Sequence, residues 1–179
     1  MWALVESNSV TRVYTRPTAI TVGDINYPQN IMSMWTASEL EAIGIYEVVS
    51  DGTNLKSSSY YYNGAESFNF ADGVVTKSYG IATAKNLAVL KTQKKESINE
   101  EAGMLLKPTD WYVLRATEGG TATPSAITTY RAAIRTKSNE MCTLIDNAAN
   151  VDALAALYVW NEDDPPTRPL GEFPDPPII

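Results

Sequence analysis

The sequence predicts an α+β protein: a β-rich N-terminal part over residues 1–81, a helical C-terminal part over 82–160 and a proline-rich extended arm over 161–179. Three observations predict it. Up to about Ile81 the chain runs in short stretches rich in valine and tyrosine, separated by turn residues, which is the pattern of half-buried strands. From about Ala82 the apolar residues fall three and four apart, the helical period. From Asn161 onward, six of the ten prolines crowd into the end of the chain.

The strands are expected at residues 2–6, 12–15, 19–22, 45–49, 60–62, 66–70 and 74–79. Between the last two, Asp72-Gly73 stands where a type I′ turn needs positive φ, so these strands form a hairpin. One short helix interrupts the strands. Thr36 can cap it, Glu39 completes a capping box and Gly44 stops it. In the second half, Leu87, Leu90, Ile98, Ala102 and Leu105 share a helical face, with Lys91, Lys94, Lys95, Glu96, Glu100 and Glu101 mostly between them. Lys107-Pro108 ends that helix. A second helix is expected to start at Thr109, whose hydroxyl can cap it, with Asp110 at the positive end of the helix dipole, and to finish near Gly119-Gly120. Pro124 opens a third, with Ile127, Tyr130, Ile134, Met141, Leu144, Ile145 and Ala148 on one face. Residues 151–158 suggest a fourth. Proline removes a donor and fixes φ, so residues 161–179 are expected to be an extended arm or linker.

Composition narrows the chemistry. At 179 residues, 44% of them apolar, the chain makes one ordinary domain or two small ones and needs no covalent staple. With one cysteine, Cys142, and no histidine, intrachain disulfides, the usual transition-metal ligand sets and imidazole bases are all excluded. Catalytic residues, metals and cofactors are therefore not expected. An enzyme working with acids alone needs two convergent carboxylates about 5–10 Å apart. The adjacent pairs Glu100-Glu101 and Asp163-Asp164 diverge on a helix or strand and read as solvated charge. Asp51-Gly52, Asp72-Gly73 and Glu162-Asp163-Asp164 lack calcium-loop spacing, and Gly119-Gly120 lacks the Lys-Ser/Thr of a phosphate cradle. Cys142 reads as a small buried residue.

A formal charge of -7 disfavours nucleic acid as a partner. Apolar stretches such as residues 86–90 fall far short of the roughly 18 residues that span a bilayer, so no membrane partner is expected. The first six residues carry no basic region and do not read as a secretory signal, which suggests a reducing, aqueous compartment.

What remains is recognition. Trp111 and Arg115 stand one helical turn apart, as do Arg131 and Arg135 on the following helix. The plainer reading makes Trp111 a core anchor and sets Asp110 and Glu118 against the two arginines across a helix junction. A buried Trp111 would make Trp111→Ala cost about 3–5 kcal/mol. The other reading turns Trp111, Arg115, Arg131 and Arg135 outward to a partner protein. Tyr60-Tyr61-Tyr62, with Phe68, Phe70 and Tyr79, likewise either fill the sheet's core or offer a contact surface. Helices with this much apolar face could also pair with another copy, so a homo-oligomer is left open.

The string Leu106-x-x-Thr109-Asp110-Trp111-x-x-x-Arg115-x-x-Glu118, then Pro124, then Tyr130-Arg131-x-x-x-Arg135, resembles the C-terminal region of tail-fibre assembly chaperones and related small tail proteins of tailed bacteriophages. The likeness covers roughly residues 105–135. Tyr27-Pro28-Gln29-Asn30-Ile31, with Trp35 and residues 39–45, is similar to a second pattern common near the start of such proteins. The resemblance implies a non-enzymatic protein that binds a tail fibre or receptor-binding protein and assists its assembly, found in the host cytoplasm and the virion tail. Its partners would be the fibre or other tail proteins. The alternative it leaves is a permanent virion subunit of the tail, baseplate or fibre attachment site.

Overall fold

The computed structural model describes residues 1–177 and has a mixed α+β fold, with a sheet in the N-terminal part and helices in the C-terminal part. The chain divides into two compact units, Met1–Thr83 and a second that begins at Ala84.

The first unit contains β1 (Trp2–Glu6), β2 (Ser9–Tyr14), β3 (Ile20–Val22), β4 (Ile25–Tyr27), α1 (Ile31–Met34), α2 (Ala37–Glu41), β5 (Ile45–Ser50), β6 (Tyr61–Tyr62), β7 (Glu66–Ala71) and β8 (Val74–Tyr79), with β9 (Thr83–Ala84) at its end. Five strands form one sheet in the order β2-β1-β5-β8-β7. β5 is the hinge of this sheet. Its first residues pair antiparallel with β1 through Ala3↔Tyr46, and its last pair parallel with β8 through Val49↔Thr76. One strand thus joins two hairpins. The β7–β8 hairpin turns at Asp72 and Gly73, with φ of 52° and 78°, as its sequence predicts. The β1–β2 hairpin turns at Ser7 and Asn8, with φ of 50° and 59°, a turn no glycine advertises. The edge strands β2 and β7 approach each other, so the sheet is strongly curved.

Leu4, Tyr14, Ile20, Ile31, Met32, Leu40 and Ile45 form the buried core of this unit, with Trp2, Val22, Tyr27 and Ile43 packed against them. Leu40 reaches that core because α2 starts where the sequence says. The Thr36 side chain accepts from the Glu39 N–H, and the Glu39 carboxylate accepts from the Thr36 N–H at 2.8 Å. At the other end Gly44 takes φ +79° and its carbonyl accepts from the Val5 N–H. A Cβ there would lie 2.9 Å from the Val5 oxygen, so only glycine lets α2 hand the chain to β5 this close to β1.

The bond from the Thr36 N–H, helped by its hydroxyl, holds the Glu39 carboxyl below its ordinary range. A carboxyl lowered in the folded state stabilises above its unfolded pKa and loses that contribution as the pH falls through the folded one. Glu39→Gln is therefore expected to lower the thermal midpoint of the first unit at neutral pH. The gap between variant and wild type should close as the pH falls through the carboxylate range, and melting curves across that range check it.

The second unit is helical: α3 (Leu87–Leu106), a 3-10 turn (Lys107–Thr109), α4 (Asp110–Thr117), α5 (Ser125–Asn147) and α6 (Val151–Ala156). Asn86 and Asn150 cap α3 and α6 by accepting from the Val89 and Ala153 N–H groups. α3 and α5 form an antiparallel hairpin. Lys95 pairs with Asp146 at 2.7 Å, Ser138 donates to Asn99 at 3.1 Å, and Arg131 donates to the Leu106 carbonyl at 3.1 Å, matching early residues of one helix to late residues of the other. Ile127, Tyr130, Ile134, Met141 and Ile145 are buried along α5, as the spacing predicts. Leu144, expected on the same face, is exposed, because it falls one residue off the stripe that α3 covers. Cys142 is half-buried beside Asn99, and burial pushes its thiol up, away from the reactive thiolate.

The expected extended arm or linker is docked on its unit. Among the described residues, 161–177 hold no helix or strand, yet the segment lies against it as a strap. Leu170 is fully buried and its N–H donates to the Leu157 carbonyl at 3.0 Å. Phe173 packs on Ala102, Tyr130 and Ile134. Asn161 closes a loop, bonding Thr167 through backbone and side chain. Proline forbids a regular ladder but leaves apolar side chains free to bury. Of the predicted arm, Ile178 and Ile179 lie outside the described residues.

Candidate functional site

The junction between α3 and α4 is built around one arginine. Pro108 prevents α3 from continuing, so the chain turns through Lys107–Thr109 and restarts as α4. Arg131, on α5, reaches into this turn and donates to the Leu106 carbonyl, to the Thr109 hydroxyl at 2.5 Å and to the Asp110 carboxylate at 2.8 Å. The Asp110–Arg131 pair is the acid–arginine contact expected across the helix junction. Three of the other expectations need correcting. Thr109 does not cap α4: its hydroxyl donates back to Leu106 at 2.7 Å, because that orphan carbonyl at the end of α3 is nearer than the start of the next helix. Glu118 makes no ion pair with Arg131 or Arg135 among the described residues. Arg135 instead approaches the Arg131 carbonyl one turn back, at 3.5 Å. Arg131 is therefore mostly enclosed rather than turned outward, and Tyr130 belongs to the core beneath it.

Trp111 is the third correction. It is 50% exposed and anchors no core. α4 has no fully buried residue, and Leu114, at 60%, is exposed beside it on the same face. The Trp111 and Tyr112 rings lie 3.8 Å apart between centroids. The Arg115 guanidinium sits over both, 4.7 Å from the Trp111 centroid and 5.7 Å from that of Tyr112. Its Nε is buried without a hydrogen-bond acceptor. Behind it the helix closes tightly. Gly119 takes φ +83°, the Gly120 N–H donates to the Arg115 carbonyl, and a Cβ on Gly120 would fall 2.8 Å from Arg115 Cγ.

The tyrosine run, in the first unit, is strand only over Tyr61–Tyr62, with Tyr60 in the turn before it, and its exposure rises along the chain. Tyr60 is buried, which raises its hydroxyl pKa; Tyr61 is half-buried beside Lys56, and Tyr62 is 66% exposed. The nearby hairpin has a buried charge, Lys77, paired with Glu66 at 2.5 Å, and that bond holds the ammonium above its ordinary range. The sequence reading missed a second exposed aromatic site. Val159 and Trp160 follow α6 and, with Thr167, Arg168 and Pro169, line a shallow groove in which Arg168 stacks 5.0 Å from the Trp160 ring. An apolar pair directly after a helix and before a proline cluster was its only sequence signal.

Among the described residues no group of three or more acidic or cysteine side chains is placed to hold a metal ion, and no helix is long and apolar enough to cross a membrane. No family model matches the chain, and neither a curated protein nor a solved structure matches it.

Because Trp111 lies on the surface, Trp111→Ala is expected to cost only about 1 kcal/mol, the worth of a half-exposed stacked ring. A denaturant-midpoint shift of that size in the helical signal checks it.

Proposed function

We propose that the chain is a non-enzymatic tail protein of a tailed bacteriophage that binds a tail fibre or receptor-binding protein and assists its assembly. The observation that supports this reading is that Thr109, Asp110, Trp111 and Arg131, four of the residues responsible for the resemblance, gather at one helix junction. Arg131 fastens Thr109 and Asp110, and α4, held there, exposes Trp111 and Leu114 instead of burying them. A helix in a small unit that exposes its large apolar residues suits a partner surface, where tryptophan and arginine carry much of the energy. The contact is one of side chains. Strand addition is less favoured, because edges β2 and β7 curl toward each other instead of standing open.

Co-expression with the adjacent fibre gene tests the proposal. Omitting this chain is expected to abolish trimeric, soluble fibre, and unchanged fibre yield would refute it. Mass spectrometry of purified particles separates the variant of the idea in which the protein stays in the virion, at fixed copy number, from one in which it leaves after assembly.

A further inference from the structure

We infer that the Trp111–Leu114–Arg115 face of α4 receives an acidic segment of a partner polypeptide, which sets a carboxylate on the edge of the Arg115 guanidinium and an apolar side chain against Trp111 and Leu114. The inference deepens the reading of α4 as a docking face and rests on it.

The Arg115 guanidinium has one face committed: Trp111 and Tyr112, their ring centroids 3.8 Å apart, both lie on the same side of it. Its terminal N–H donors lie in the guanidinium plane and make no hydrogen bond or ion pair among the described residues. Nε is buried within the chain without an acceptor, so an incoming group meets the two Nη atoms instead. Local acids do not take them. Asp110 is held by Arg131, and Glu118, one turn along from Arg115, makes no ion pair among the described residues. A carboxylate matches this fork in the plane, accepting two parallel N–H bonds. The stacked rings fix the guanidinium beforehand, so little side-chain freedom is lost on binding. Trp111 and Leu114, exposed on the same face, set the second requirement: the carboxylate comes with apolar neighbours.

The test follows side-chain N–H resonances of the full-length 15N-labelled protein, with Arg115 Nε assigned through Arg115→Lys and the Trp111 indole through Trp111→Phe. The probes are acetyl-Leu-Glu-Leu-amide, its glutamine counterpart and inorganic phosphate. The Arg115 and Trp111 signals are expected to move together with the glutamate peptide, with Kd of about 1 mM, and the glutamine peptide should bind at least about tenfold more weakly. Phosphate should leave the Trp111 indole in place. Equal response to both peptides, response to phosphate alone, or no movement with the glutamate peptide would each overturn the inference. Arg115→Gln, with an unchanged thermal midpoint, should reduce fibre capture in co-expression at least about tenfold. If the fibre needs this chain yet Arg115→Gln captures it normally, the carboxylate contact is refuted and the assembly role stands. If the glutamate peptide binds but fibre yield ignores the chain, the assembly role fails alone.

Discussion

Arg131→Ala is expected to destabilise the helical unit by about 3 kcal/mol, read as a denaturant-midpoint shift of the far-UV helical signal. The size follows from what the guanidinium touches. Its Nη1 serves the last carbonyl of α3, a buried threonine hydroxyl and the first carboxylate of α4, and the side chain is largely enclosed. Removing it takes one donor from the Leu106 carbonyl and leaves the buried Thr109 hydroxyl with only its bond to that carbonyl. Asp110, by contrast, is 61% exposed at its side chain and can rehydrate. Asp110→Asn should therefore cost about 1 kcal/mol or less, as exposed ion pairs do. Thr109→Val should fall between, at about 1–2 kcal/mol, since it removes one buried hydroxyl with two bonds. This ranking separates two accounts of the junction. If Asp110→Asn matches Arg131→Ala, charge pairing dominates; the structure predicts that the neutral acceptors do.

What could be read from the sequence was what is local. The capping box at Thr36 and Glu39 needs only two residues three apart, and the Asp72-Gly73 hairpin needs only residues that tolerate positive φ. The buried stripe on α5 repeats over enough turns to fix its face, so Ile127, Tyr130, Ile134, Met141 and Ile145 could be placed before any coordinates. α4 spans only eight residues, and a stripe of two turns does not say whether a neighbour covers it. Residue type alone therefore leaves Trp111 between a core anchor and a partner-facing residue, and only the placement of its helix, held at one end and packing little of itself, decides. Asp110 could be paired with an arginine by charge, but which of Arg131 and Arg135 lay within reach depended on how α3 and α5 align. The Ser7-Asn8 turn escaped notice because serine seldom takes positive φ, and there the pairing of β1 with β2 overrides local preference.

Leu170→Ala is expected to cost about 3 kcal/mol, within the range for truncating a fully enclosed leucine, and it tests the least legible feature of the chain. Nothing local marks Leu170: it stands between Pro169 and Gly171 in a stretch whose prolines forbid helix and strand alike. It is nonetheless completely buried, and its N–H closes on Leu157 at the end of α6. The strap is held on either side of it. Upstream, Asn161 accepts from the Thr167 N–H at 2.7 Å and donates to its hydroxyl at 2.8 Å. Downstream, Arg168 pairs with Glu172, and Phe173 covers the end of the α3–α5 hairpin. These ties keep the segment from following the smaller side chain inward, so the truncation leaves a cavity as well as lost apolar contact. The same variant should expose the chain after Asn161 to proteolysis, since Leu170 is the deepest of the contacts that pin it. A midpoint shift under about 0.5 kcal/mol, the size of an ordinary surface substitution, with no new cleavage would mean that these residues form a loose arm after all.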